Sequence, residues 1–267
     1  MANKNAFLNY EQKLFISGIE IPGVTNIDGG YQIEEEPINI LGKGFKYSMR
    51  QGPLVGNFNV SKYYIGEETL LNYTGDNPIN GSINYGDQSF GFEEGYLTEY
   101  SLSFGIGQIP TANASFVVYG DIGDGINDQS DEPHPDIQIP NQGSIEINIS
   151  DFSSNRVSDF SYTMRMNRSP IYAIGSPFAV KVHQIFPIIQ ECKFNLEVFD
   201  YEITTIKKYL ESPIAQDVAI TIKNPISEST IQTFSLNDAR LLGQEINSNA
   251  DDVLTIGLTY NAYINER

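Results

Sequence analysis

The feature that most constrains this chain is a repetition of its own pattern. The decapeptide Glu36-Pro37-Ile38-Asn39-Ile40-Leu41-Gly42-Lys43-Gly44-Phe45 reads against Ser169-Pro170-Ile171-Tyr172-Ala173-Ile174-Gly175-Ser176-Pro177-Phe178, with Pro, Ile, Gly and Phe coinciding 133 residues apart. Pro53-Leu54 then meets Pro187-Ile188 at 134, and Asn57-Phe58-Asn59-Val60 meets Lys193-Phe194-Asn195-Leu196 at 136. Tyr73 and Tyr209 keep 136, Pro78-Ile79 meets Pro213-Ile214 at 135, and Gly95-to-Gly120 matches Ala239-to-Asn265 more loosely. A slowly drifting offset is the trace of a unit copied once and then altered by small loop insertions.

Each copy reads as mainly strand. The 16 Tyr, 15 Phe, 23 Gly and 13 Pro favour short strands broken by turns. Tyr31–Glu35 and Ser161–Met166 lead into the Pro-Ile-x-x-x-Gly turn. Phe45–Arg50 and Val55–Tyr63 follow it in the first copy, Phe178–His183 and Cys192–Phe199 in the second. Phe178, Val180 and Val182 alternate with Ala179, Lys181 and His183, the period of a half-buried strand. One short helix is expected per copy, at Glu67–Tyr73 and at Asp200–Leu210, where Asp200 can cap and Ile203, Ile206 and Leu210 share a face. Strands at Leu97–Gly105, Ala114–Tyr119, Val218–Lys223, Ile231–Leu236 and Val253–Ile264 close the copies. The expected fold class is therefore all-β, as two tandem sandwich domains at residues 1–120 and 145–267. The Gly-, Asp- and Pro-rich stretch 121–144 serves as linker or exposed loop.

The 267 residues carry a net charge of −18, unevenly distributed. No Lys or Arg occurs between Lys62 and Arg156, a stretch of 93 residues with 15 carboxylates. Ordinary nucleic-acid binding needs clustered cations to neutralise phosphate, so it is not expected here. Two uses of the acids stand open: a solubilising face, or a surface that must not hold a polyanion.

Catalytic chemistry is not expected either. His134 lies between two prolines in the linker and His183 on the solvent side of a strand. Cys192 has no sequence-evident partner and reads as a buried structural thiol, and a single cysteine permits no internal disulfide. Neither a Gly-x-Ser-x-Gly elbow nor a phosphate-binding Gly-x-x-x-x-Gly-Lys is present, and Gly105-x-Gly107 runs into Pro110. Asp121, Asp124, Asp128 and Asp131 are spaced three, four and three apart, which does not fit the alternate ligands of a calcium loop. Glu93-Glu94 lacks the apolar cleft a glycosidase pair requires. No catalytic residue, cofactor or metal is thus expected. Met1–Tyr10 has no charged-then-apolar leader and no apolar run is long enough to cross a membrane as a helix, so cytoplasmic synthesis without membrane contact is expected. Six Asn-x-Ser/Thr sequons, the first at Asn59, are then chance occurrences in an Asn- and Ser-rich chain.

The run Gly52-Pro53-Leu54-Val55-Gly56-Asn57-Phe58-Asn59-Val60-Ser61-Lys62-Tyr63-Tyr64-Ile65-Gly66 resembles the tail tube proteins of long-tailed bacteriophages. Leu97-Thr98-Glu99-Tyr100-Ser101-Leu102-Ser103, then Ile109 to Phe116, and the opening Ser17-Gly18-Ile19-Glu20-Ile21-Pro22-Gly23-Val24 add to the likeness, which covers roughly Ile16 to Tyr119. The second copy has Cys192-Lys193 in place of the Gly-Asn pair and Asn249–Asp252 in place of Pro110–Ala114. The resemblance implies β-sandwich domains with a flanking helix, assembled as a virion structural protein into stacked rings. A duplicated subunit would form a trimeric, pseudo-hexameric ring. The implied partners are other copies of the chain, a tape measure protein and a tail terminator, with DNA passing an acidic lumen unbound. The same residues leave open a different tail or baseplate component, or a glycan-binding sandwich whose aromatic platform would be Tyr63-Tyr64.

Overall fold

Alternation decides the architecture. Strand after strand exposes every second residue and buries the next, as a two-faced sheet requires. The computed structural model describes residues 12–33, 35–50, 52–129, 137–140, 144–150, 152–197, 210, 215–248 and 254–265. In the first half the strands are β1 (Gln12–Ile16), β2 (Ile19–Glu20), β3 (Val24–Tyr31), β4 (Glu35–Ile40), β5 (Gly44–Arg50), β6 (Gly56–Tyr63), β7 (Ile79–Tyr85), β8 (Gln88–Gly105), β9 (Thr111–Val118) and β10 (Ile122–Asp124). The second half holds β11 (Ile145–Ile149), β12 (Phe152–Ser154), β13 (Val157–Tyr172), β14 (Ala179–Glu197), β15 (Ala215–Lys223), β16 (Thr230–Asn247) and β17 (Thr255–Ile264). The fold is all-β, built on one large antiparallel sheet, with β4 and β5 as a separate two-stranded ribbon.

The helix expected at Glu67–Tyr73 is a short 3₁₀ helix, Thr69–Tyr73, whose N-cap Glu68 accepts from the Leu70 amide. Apart from Leu210, the helix expected at Asp200–Leu210 lies outside the described residues. The strands expected at Phe178–His183 and Cys192–Phe199 fall on one strand, β14, which begins at Ala179, and Val198 and Phe199 lie outside the described residues. The strand expected at Tyr31–Glu35 is instead two, β3 and β4, with a break before Glu35.

Strand order corresponds in the two halves, apart from β10, whose pairing with β8 has no counterpart among the described residues of the second half. The first half runs β2-β1-β7-β8-β9-β6-β3, the second β12-β11-β15-β16-β17-β14-β13. Irregularities recur at matching places. A bulge holds Glu94 at φ 53° in β8 and Asp238 at φ 52° in β16. The amide of each donates to the facing strand, Glu94 to Asn80 Oδ1 at 3.3 Å and Asp238 to Asp217 Oδ1 at 3.1 Å. Further bulges match at Leu97/Glu99 and Leu241/Gly243, and at Val24/Asn26 and Val157/Asp159. Ser17 and Ser150 turn the equivalent hairpins at φ 50° and 49°. Gly42 and Gly175 occupy the left-handed region at the two other hairpin tips, which explains their place in the repeated decapeptide.

Register corrects two of the expected matches. Pro37 pairs with Ser48 as Pro170 pairs with Val182, so that equivalence stands. Phe58, however, faces Phe116 where Cys192 faces Tyr260, so Phe58 corresponds to Cys192 and Val60 to Phe194. A slip of two residues leaves every side chain on its own face, which is why apolar alternation alone mistook the phase. Phe45, likewise, corresponds to Ala179 and not to Phe178.

The halves meet along a shared edge. Residues Glu99–Gly105 of β8 pair with Arg165–Asp159 of β13, making the two strand sets one sheet. That sheet folds over: Phe234 of β16 lies 4.8 Å from Tyr162 and 6.3 Å from Phe160 of β13, although β17 and β14 separate these strands in sheet order. One buried cluster runs through both halves, from Phe58 and Phe116 through Tyr100 and Phe160 to Phe194 and Tyr260. The described parts of 121–144 also dock. β10 pairs with β8, the Gly18 amide donates to Asp128 at 2.8 Å, and the Gln138 amide donates to the Ile65 carbonyl at 2.7 Å.

Phe160 sits at the meeting point, touching Phe104 across the shared edge and Phe234 across the core. Phe160→Ala is expected to lower stability by about 3–5 kcal/mol, the usual cost of emptying a buried aromatic site. Denaturant titration of the variant against the parent chain measures it.

Candidate assembly surfaces

Titratable groups in the interior are tied together by hydrogen bonds. Glu68 is buried, and its Oε1 accepts from Lys62 Nζ at 3.2 Å and from the Leu70 amide, while Oε2 accepts from the Tyr100 hydroxyl at 3.2 Å. The Glu68 amide donates to Gln232 Oε1 of the second half at 3.4 Å. Closure of β6, β8 and β16 around this pair leaves it no solvent approach, since both charged side chains are almost fully covered. Burial pushes the hydroxyls of Tyr64 and Tyr100 well above the usual phenol range, with nearby Glu68 adding to each. Burial also raises Tyr162, to about 12.

Arg168 of β13 forms a second tie between the halves. Its guanidinium donates to the carbonyls of Leu97, Gly75 and Thr74, lies 3.4 Å from Asp76, and stands 5.6 Å from the centre of the Tyr96 ring. Burial lowers its pKa, and the Asp76 charge acts the other way. No sequence motif announced either network, because each joins residues brought together only by strand pairing.

The residues singled out by sequence fall apart in space. His183 is exposed on β14, as alternation requires, while Val180 is exposed too because it sits at a bulge. Cys192 is wholly buried, and burial pushes its thiol well above the ordinary value, the opposite of an activated nucleophile. Asp121 accepts from the Ile122 amide and Asp128 from the Gly18 amide. His134 and Asp131 lie outside the described residues. Among the described residues no cluster of His, Cys, Asp and Glu could hold a metal ion. Tyr63 and Tyr64 form no platform, because strand alternation exposes Tyr63 and buries Tyr64 completely.

Acidic and apolar side chains are exposed on the surface. Glu67, Asp76, Asp87, Glu93, Glu94, Asp121 and Asp124 are all exposed. Since Lys62 is buried, the cation-free interval offers the surface no positive charge from its leading end either. Two hairpins carry bare apolar residues at matched tips: Leu41 on the β4–β5 ribbon and Ile174 between β13 and β14 are fully exposed. Ile38 and Ile40 flank the first, Ile171 and Val180 the second. Finally, several strands are paired on one side only among the described residues: β3 with β6, β2 with β1, β12 with β11 and β10 with β8. Open edges of this kind are templates for another strand.

No family model and no curated protein matches the chain.

Two outcomes check the interior. Removing one member of the buried ion pair strands the other, so Glu68→Ala should cost about 3–5 kcal/mol in urea unfolding. The double change to Met at Lys62 and Leu at Glu68 should cost less than the sum of the single changes. Tyr64, Tyr100 and Tyr162 have folded pKa values above their unfolded value near 10, so the folded state holds those protons more tightly. Their contribution is intact below pH 10 and is lost as pH rises beyond it. In a spectrophotometric titration, Tyr→Phe changes at these three positions should each remove one tyrosine from the group that ionises only with unfolding.

Proposed function

We propose that this chain is a structural subunit of a phage-type tail tube, a non-enzymatic virion protein that assembles with its own copies into stacked rings around a DNA passage. The observation that carries the reading is the correspondence of the two halves. Two strand sets with the same order and the same bulges, joined edge to edge, are two neighbouring positions of one ring on a single chain. Three chains would complete a pseudo-six-fold ring, and tandem duplication is the economical origin of such a subunit.

Surface chemistry supports the same reading. Exposed carboxylates without intervening Lys or Arg suit a wall past which DNA moves, because counterion release at clustered cations would hold the phosphates. Repulsion acts only across about 8–10 Å at physiological salt, which is enough to keep DNA off a wall without binding. Apolar-tipped hairpins offer contacts between successive rings or to the tape measure and terminator proteins such a tail contains. Buried Cys192, exposed and isolated His183, and the closed Glu68 network supply no reaction centre, which fits a structural role. The glycan-binding alternative loses its aromatic platform, since Tyr64 is covered.

Negative-stain microscopy of the purified protein at raised concentration should show rings or stacked tubes with a central channel. Dispersed monomers at every concentration would overturn the tube reading. In a three-dimensional map of the assembly the channel wall should carry net negative charge from the interval between Lys62 and Arg156. A neutral or basic wall would remove the DNA passage while leaving the ring.

A further inference from the structure

One buried pair is short of partners for two separate charges. Lys62 and Glu68 are 4% and 2% exposed. Lys62 Nζ carries three protons, yet its one hydrogen-bond partner among the described residues is Glu68 Oε1, at 3.2 Å. The Tyr64 hydroxyl, two residues along and equally buried, has none. A buried ion pair repays the loss of its water only where further hydrogen bonds take up the remaining protons. Here they do not.

Both side chains are held in place. Glu68 Oε1 accepts from the Leu70 amide, Oε2 accepts from the Tyr100 hydroxyl, and the Glu68 amide donates to Gln232. The Lys62 backbone pairs with Val24 of β3 and with Ala112 of β9. An amine and a carboxyl are thus in contact, dry and fixed, the arrangement in which an intramolecular reaction gains most over the same groups in water. Closed to any substrate, the pair can react only with itself.

We propose that Lys62 and Glu68 condense into an amide, a covalent crosslink from β6 to the cap of the 3₁₀ helix. Nζ attacks Cδ. The Tyr100 hydroxyl, already donating to Oε2, stabilises the negative charge that gathers on that oxygen in the tetrahedral intermediate. Two of the three Nζ protons pass to Oε1, the Cδ–Oε1 bond breaks, and one water leaves. Ammonium and carboxylate become a neutral amide, with no net change of charge and no oxidant or activating group required. The product asks for less than the pair did. It has one N–H in place of three, and a carbonyl at Oε2 whose two lone pairs serve the Tyr100 hydroxyl and the Leu70 amide. In a chain whose one cysteine is free and buried, the bond supplies a covalent tie that a disulfide cannot. The crosslink is independent of the tube reading.

Mass spectrometry of the full chain tests it. The denatured protein, after allowance for Met1, should weigh less than its sequence by one water. Trypsin needs a free Lys side chain, so it should leave residues 51–156 uncut at Lys62. Cleavage after Glu67 should leave two peptides joined through Lys62 and Glu68. Lys62→Met should weigh what its own sequence requires. Tyr100→Phe should slow formation of the link about a hundredfold, the usual effect of removing one donor from a developing oxyanion. Linking at the parent rate would overturn the role of Tyr100 and leave the crosslink. A parent chain at its sequence mass, cut normally at Lys62, would overturn the proposal. So would a missing water that maps to Asp28-Gly29 or Asp124-Gly125, where an Asp–Gly pair can close to a succinimide with the same loss.

Discussion

The sheet as a whole depends on five residues of β8 that accept a strand on each side. Glu99–Ser103 are paired to β9 and to β13 at once, Phe104 and Gly105 extend the β13 pairing, and this double pairing turns two strand sets into one sheet. Without it the Phe104–Phe160 contact and the covered positions of Leu102, Met164 and Met166 would open to water. The Arg168 contacts to Leu97, Gly75 and Thr74 and the Glu68–Gln232 hydrogen bond are secondary ties that the joint brings into range.

Much of the fold was legible in the sequence because period-two alternation and turn residues act locally. The class, the Pro37/Pro170 match and the left-handed Gly42 and Gly175 followed from local pattern. What was missed follows from tertiary context. β7, Ile79–Tyr85, is rich in Asn, Gly and Ser and was not among the expected strands, yet it is held between β1 and β8. β8 extends to Gln88, well before the Leu97 that pattern suggested, because β7 and β10 pair with its first half. The two-residue phase error between Phe58 and Phe194 has the same origin, since only partner strands fix a register.

The surfaces were less legible. The cation-free interval was visible as composition, but the burial of Lys62 was not, because a lysine next to a strand's exposed Tyr63 looks like any surface lysine. Open edges have no sequence signature at all. Whether a strand has a neighbour on each side is a property of the pairing, which pattern along the chain does not record.

Linking two strand sets through the segment between Val118 and Ile145 also changes how such joints form. A joint between separate molecules must overcome lost translational and rotational freedom, whereas a tethered one meets its partner at an effective concentration on the order of millimolar. The β8–β13 joint is thus complete as soon as one chain folds, at any dilution. Its residues are free to diverge from those at the open edges. A seam within one chain therefore forms at concentrations where the same seam between two chains would not.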